Sequence, residues 1–363
     1  MRLPDLAGGD QRLMGDDSML PCSQSQSGLA DPKLAGEWLA VAWSREVPAG
    51  TLLARKIMGL DLVLWRSQEG LHCWRDLCVH RGARLSLGTI RHSDSTVPDG
   101  GQARDCLVCP YHAWEYAPSG QCVRIPAQPD LVPPAKARAA TYAACERYGV
   151  VWVAFGKPRG PLPEFPIAED PEFRTVLAGP YRFRALGPRV IENLLDVAHL
   201  GFVHAGLLGD PLRGEVEDYA VTPGSETRGP EAPQIRIWQP NPDGTGAAAL
   251  VQYHYWVNGP LTAGFLKSNG RQQFGMLAQV APIDAETCES RLVMSLNYGN
   301  AVSDEELIGF QDHVTEQDRL VVESQRPELL PLDLQQELHL RSDRLAIAYR
   351  KWLKAIGLKY GTA

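Results

Sequence analysis

The chain has 363 residues, of which 44% are hydrophobic and 22% charged, and its formal net charge is −7. This is the profile of a soluble globular protein with room for two domains, which excludes collagen, coiled coil and small disulfide scaffolds. The acidic balance argues against nucleic acid or an anionic membrane as partner, and no run reaches the roughly 20 apolar residues of a spanning helix.

Residues 1–33 are polar, hold further methionines at Met14 and Met19, lack the apolar core of a secretion signal, and are expected to form a disordered extension. From Trp38 onward, short apolar runs alternate with turn residues: Trp38–Trp43, Leu60–Trp65 and Gly149–Phe155. Each has strand length, so residues 35–156 read as an all-β domain. The Pro-rich stretch 157–166 reads as a boundary. Beyond it, residues 165–363 mix signals. Val190 to Val203 is apolar at helical spacing, whereas Gln234–Trp238 and Arg291–Leu296 look like strands. Ser303 and Glu306 form a capping box that opens a helix ending before Pro327. The fold class expected is α+β, with an antiparallel sheet and helices following the all-β domain.

Five of the eight cysteines fall between residues 73 and 122, without the density of a secreted disulfide framework. A cytoplasmic protein with a metal or redox site is the expectation. The informative residues are Cys78-Val-His80 and Cys109-Pro-Tyr-His112. Two thiolates and two imidazoles can bind zinc, but zinc sites usually pair like ligands within each short segment. One Cys and one His per segment suit a [2Fe–2S] centre with two Cys on one iron and two His on the other.

These segments, Cys78-Val-His-Arg-Gly82 and Cys109-Pro-Tyr-His-Ala-Trp114, resemble the two cluster-binding loops of the Rieske family. The resemblance implies that Cys78 and Cys109 hold one iron and His80 and His112 the other, with a reduction potential of about −150 mV or above. The spacer between the loops is longer than is usual in oxygenase relatives. Its excess, residues 92–102, reads as a surface hairpin. Cys106 forms a C-x-x-C with Cys109, but a ligand set through Cys106 would strand His112.

A second constellation runs from Asn193 through Asp196 and His199 to His204. On a helix Asp196 and His199 share a face, whereas two histidines five residues apart diverge by about 140°. They converge on one metal only if the helix ends or distorts between them, and Gly201 is placed to allow that. In the helix opened by Ser303, Asp318 falls on an apolar stripe of Leu307, Phe310, Val314, Val321 and, less regularly, Val322, where an unpaired carboxylate would be costly. Asp312, Glu316 and Glu323 lie off the stripe and read as solvated. His199, His204 and Asp318 would make a two-His-one-carboxylate iron(II) site.

The N-x-x-D-x-x-H-x4-H spacing and Glu316-Gln-Asp318 resemble the iron-binding segments of Rieske non-haem iron oxygenases. The resemblance implies a terminal oxygenase of the homotrimeric monooxygenase and demethylase type, with a Rieske [2Fe–2S] cluster and a mononuclear Fe(II). It would act on a small organic molecule and O2. With no nucleotide fingerprint in the chain, electrons would come from a separate NAD(P)H-dependent flavin and iron–sulfur reductase, with or without a ferredoxin. Asp196 matches the acid that bridges a cluster histidine to an iron histidine across the subunit interface, and Asn193 would stand near the iron. Residues 193–210, Glu316-Gln-Asp318 and the tail Ser342–Trp352 further resemble the subgroup with saxitoxin-tailoring hydroxylases, although aromatic-ring hydroxylation stays open. The alternatives are a Rieske electron carrier without oxygenase activity and a zinc-stabilised module. His254 reads as a partly buried strand residue, and Tyr349 and Trp352 as packing or subunit contact.

Overall fold

The computed structural model describes residues 31–93 and 104–363. The expected extension lies outside the described residues up to residue 30, as does the expected hairpin insert from residue 94 to 102. Residues 31–33, assigned above to the extension, are instead part of the fold. The Asp31 carboxylate accepts from the Lys33 amide and, with its other oxygen, from the amides of Lys359 and Tyr360 at 2.7 and 2.9 Å.

In chain order the first part carries α1 (Pro32–Ala35), β1 (Leu39–Trp43), β2 (Leu52–Ile57), β3 (Leu60–Ser67), β4 (Gly70–Arg75), β5 (Thr89–Ser93), β6 (Arg104–Val108), β7 (Glu115–Tyr116), β8 (Cys122–Arg124), β9 (Thr141–Arg147) and β10 (Val150–Ala154). Six of these strands form an antiparallel sheet in the order β1-β10-β9-β4-β3-β2, and β5-β6-β7-β8 form a second. The core between them is aromatic: Trp65 meets Trp74 edge-on at 5.0 Å, and Trp74 meets Tyr116 at 6.4 Å.

The second part carries β11 (Arg174–Phe183), α2 (Gly187–Leu195), β12 (Glu231–Gln239), β13 (Ala249–Gly259), β14 (Thr262–Asn269), β15 (Gln272–Pro282), β16 (Cys288–Leu296), α3 (Asp304–Val322) and α4 (Arg344–Ile356). Its antiparallel sheet runs β11-β16-β15-β14-β13-β12. Val251, Tyr253, Tyr255 and Val257 are buried at every second position of β13, the period of a half-covered strand. Gly270, with φ +67°, closes the two-residue β14–β15 turn.

Strands β15 and β16 are buried on both faces. Met276, Ala278 and Met294 pack into the core that holds Val190, Ile191 and Leu195 of α2. Leu277 and Val293, of opposite parity, pack against Ala40, Trp43 and Trp152 of the first part and Phe165 of the Pro-rich stretch. A polar clamp crosses the same boundary. Gln279 accepts from the Ala40 amide at 2.8 Å, and Arg291 donates to the Ala40 carbonyl at 3.2 Å.

Helix α3 starts at the expected capping box, with Ser303 Oγ and Glu306 bonded reciprocally to backbone amides. Its buried face differs from the expected stripe. Phe310 and Val321 are exposed, and Gln311, Val314, Thr315 and Val322 point inward. The polar pair is accommodated because Gln311 donates to Thr315 at 3.0 Å. Glu323, expected to be solvated, is partly covered and accepts from the Arg184 amide at 2.9 Å.

Helix α2 is tied to α4 through charges. Arg350 makes two bonds to Glu192, at 2.5 and 2.8 Å, and a third to Glu337 at 2.5 Å. Arg189 completes the group, bonding Glu337 at 3.1 Å and the Pro327 carbonyl at 2.8 Å. Tyr349 and Trp352 are buried beside it within the chain. Removing one member would leave an uncompensated buried carboxylate. Arg350→Ala is therefore expected to cost about 3–5 kcal/mol in chemical denaturation; a loss below about 1 kcal/mol would reduce the cluster to the standing of a surface pair.

Candidate metal centres

The two Cys/His segments fold into loops with one shared hydrogen-bond plan. In the first, the Cys78 amide donates to the Ala83 carbonyl and the Gly82 amide to the Cys78 carbonyl. In the second, the Cys109 amide donates to Trp114 and the Ala113 amide to Cys109. Each loop turns back through one left-handed residue, Gly82 at φ +71° and Ala113 at φ +54°. Buried Asp76 braces the first loop by accepting from the Ser86 amide and hydroxyl at 2.7 and 2.6 Å.

The loops bring the four expected residues together. Cys78 and Cys109 are both buried, and burial beside the Cys78 thiol pushes the Cys109 thiol up. The rings of His80 and His112 lie 4.6 Å apart. His80 stacks on Trp114 at 4.4 Å, and its buried Nδ1 has no protein partner. A buried pair of cysteines, of which Cys109 has its thiol pushed up, and an imidazole nitrogen without a partner fit a cationic iron–sulfur group. Cys106 stands within the β6 ladder opposite Arg91, not in the loop. The sequence reading missed Tyr116, whose hydroxyl is 3.0 Å from Cys78 Sγ, and the stacking role of Trp114. Both lie in or just beyond the quoted motif, so the signal was proximity alone.

The second constellation is built on a helix that stops early. Helix α2 ends at Leu195, and Asp196 takes an extended conformation, φ −80° and ψ 114°. Its Oδ1 accepts from the Ala198 amide at 2.8 Å, and a 3-10 turn spans His199–Gly201. The single helix expected through Val203 is therefore broken, and broken before His199 rather than at Gly201. Gly201 serves a close approach instead: a Cβ at Gly209 would lie 2.6 Å from the Gly201 Cα, which folds the 199–210 loop onto itself.

His199, His204 and Asp318 meet, each offering one ligand atom, with all three atoms within 4.8 Å of one another. The Nε2 atoms of His199 and His204 lie 3.4 and 3.1 Å from Asp318 Oδ1. Asn193 donates to the same oxygen at 3.3 Å. His204 is 1% exposed, and its Nδ1 contacts Gln317 Oε1 at 2.8 Å, so Gln317 fixes the ring orientation. Sequence reasoning quoted Gln317 inside Glu316-Gln-Asp318 without giving it a role. Asp196 Oδ2 is 3.9 Å from His199 Nδ1, which is buried and without a hydrogen-bond partner, while the Asp196 side chain is 41% exposed.

The two imidazoles are driven in opposite directions. Burial lowers the His199 pKa against the pull of Asp318 and Asp196. For His204 burial is outweighed by the bonds to Asp318 and Gln317, and its pKa rises. Two Nε2 atoms converging on one carboxylate fit a divalent transition metal held by nitrogen and oxygen. His254 pairs with Glu231 at 2.7 Å on the outer strands, and His313 is exposed on α3.

Comparison with known proteins agrees with this geometry. Residues 37–141 match the Rieske [2Fe-2S] domain, and residues 183–358 match the vanillate O-demethylase oxygenase C-terminal domain. The methylxanthine N1-demethylase NdmA of Pseudomonas putida is 30% identical over 311 residues, covering 84% of this chain and 82% of that protein. The N3-demethylase NdmB of the same organism is 28% identical, with 83% and 82% covered. The solved structure of NdmA with caffeine superposes with a TM-score of 0.72 at 28% identity, covering 89% of this chain and 90% of that one. Dicamba monooxygenase bound to dicamba, at 21% identity and a TM-score of 0.70, shares the fold.

The chain belongs to the Rieske non-haem iron oxygenases. It is an oxidoreductase that incorporates oxygen, and its cofactors are a Rieske [2Fe–2S] cluster and a mononuclear iron. Among the described residues, no helix is long and apolar enough to cross a membrane.

Proposed function

We propose that this terminal oxygenase hydroxylates or oxidatively demethylates a small organic substrate at an iron held by His199, His204 and Asp318. Cys78, Cys109, His80 and His112 would hold the Rieske cluster. The observation that carries the reading is the convergence of two imidazoles and one carboxylate, drawn from two segments more than a hundred residues apart, on one partly buried point. When bound, the iron supplies open positions for oxygen chemistry and the cluster supplies electrons, delivered by a separate reductase. The chain's own part is positional. Gln317 orients His204, and Asn193 holds the Asp318 carboxylate toward the two rings.

Anaerobically purified protein should contain three irons and two sulfides per chain. Asp318→Ala should lose one iron, keep the reduced Rieske EPR signal and lose turnover; three irons in the variant would displace Asp318 from the site. With a surrogate reductase, formaldehyde release from N-methyl heterocycles separates demethylation from hydroxylation of an aromatic or aliphatic carbon. The similarity to methylxanthine demethylases makes such heterocycles the first panel.

We further propose a homotrimer in which Asp196 connects the iron histidine of one subunit to a cluster histidine of the next. In support, the Asp196 side chain is partly exposed and its Oδ2 stands beside an unpartnered buried His199 nitrogen. His112 and its neighbour Tyr111 are exposed at the cluster loop. Sedimentation should give three times 39.9 kDa. Asp196→Asn should leave both metals bound yet cut single-turnover electron transfer at least tenfold; unchanged transfer removes the bridging role. No disulfide joins the seven cysteines of the described residues, which suits a reducing cytoplasm.

Tyr116 should tune the cluster. A hydroxyl donating to a cluster thiolate stabilises the reduced state, and one such bond is about 1 kcal/mol. Tyr116→Phe is expected to lower the potential by roughly 50 mV for this one-electron couple, read by spectroelectrochemistry. An unchanged potential would make the contact structural only.

A further inference from the structure

We propose that the cavity between the start of β1, the Pro-rich stretch and α4 is a second ligand site, which takes a small organic cation bearing N–H donors, such as a primary ammonium. The cavity has a volume of about 220 Å³, and its lining includes Glu37, Trp38, Arg159, Glu226, Asn258 and Trp352. Neither Asn193 nor Asp196, and none of the three residues that converge at the iron centre, lines it.

The chemistry of the wall selects the ligand. The Glu37 carboxylate is only 23% exposed, and its closest cation, Arg159, stays 3.7 Å away, beyond hydrogen-bond distance. Burial consequently raises the Glu37 pKa to about 7, the mark of a carboxylate short of partners. Asn258 Oδ1 is buried without a hydrogen-bond partner. Donors are scarce by comparison. The indole N–H groups of Trp38 and Trp352 are spent on the carbonyls of Gly160 and Ser225, at 3.0 and 2.7 Å. Arg228 is drawn toward Glu231 outside the lining, at 3.8 Å. The lining thus counts three carboxylates, Glu37, Glu164 and Glu226, against the guanidinium groups of Arg159 and Arg228.

A metal ion does not fit this site. Among the described residues, none of those lining it belongs to a group of three converging metal-ligand side chains. An ammonium satisfies the unpaired acceptors and gains from aromatic neighbours. Because residues of the first part, the Pro-rich stretch and α4 all line the cavity, an occupant would hold the two parts together.

The test uses the full-length protein with both cofactors loaded and 1-butylammonium as probe, with 1-butanol and butyrate as isosteric controls. Calorimetry should show saturable binding of the amine alone, and the amine should raise the melting temperature. Glu37→Gln should weaken it about tenfold or more, the loss of one charged hydrogen bond. Iron, sulfide and the Rieske EPR signal should be unchanged, and the unliganded variant no less stable than the parent. Asn258→Ala provides an independent variant, with a smaller loss of affinity expected. Equal binding of 1-butanol, absence of saturable heat, or full affinity in both variants would each overturn the proposal.

Discussion

Two imidazoles five residues apart cannot face one carboxylate from a regular helix, because about 100° per residue turns them roughly 140° from each other. The convergence of His199, His204 and Asp318 therefore depends on stopping α2 at Leu195, and Asp196 is the residue that stops it. One carboxylate oxygen caps the Ala198 amide, which fixes the extended backbone and the 3-10 turn that follows. The other oxygen is left beside His199 Nδ1. A single side chain thus sets the path of the histidine loop and supplies the nearest acid to one of its rings. The Gly201–Gly209 approach then folds the rest of the loop, so that His204 reaches the same Asp318 oxygen as His199.

Such a break is useful only if the helix that precedes it cannot drift. Arg189, Glu192, Arg350 and Glu337 anchor α2 to α4 through hydrogen-bonded charges with little solvent around the two arginines. Desolvation makes a cluster of this kind weak as a source of stability, but misplacement of any member exposes the others to an unpaired charge. Ridge packing of Val190, Ile191 and Leu195 onto β14 and β15 would tolerate small slips, whereas the paired guanidinium geometry would not. The Ala40 clamp serves the domain boundary in a similar way, since Gln279 and Arg291 hold the amide and the carbonyl of one residue.

How much of this was legible follows from how local each feature is. The cluster loops could be read because four ligand-type residues stand at short spacings, and each loop closes on its own backbone within six residues. The capping box at Ser303 is local in the same sense. The end of α2 was not legible. Val197, Leu200 and Val203 continue an apolar helical period past Asp196, and the one glycine in that stretch, Gly201, stands beyond His199 rather than at the break. There the side-chain bond to Ala198, together with tertiary packing, overrides the period. On α3 the hydropathy pattern chose Phe310 and Val321 over Gln311 and Thr315, yet the latter two face inward because they bond each other. A hydropathy scale charges a buried amide for lost water without crediting it for a partner.

The two centres differ in the same physical terms. In the first, the chain makes each loop by itself, and the surrounding core of Trp65, Trp74 and Tyr116 holds the loops in place. In the second, no short segment contains the site, since Asp318 and Gln317 approach from α3 while Asn193 comes from α2. Asp318 is accordingly surrounded by donors that belong to separate elements: an amide from α2 and two imidazoles from the loop behind it. A carboxylate so placed needs no apolar stripe to mark it as inward-facing. Its burial is compensated by partners on other elements, which is why its neighbours on α3 gave an incomplete account of its position.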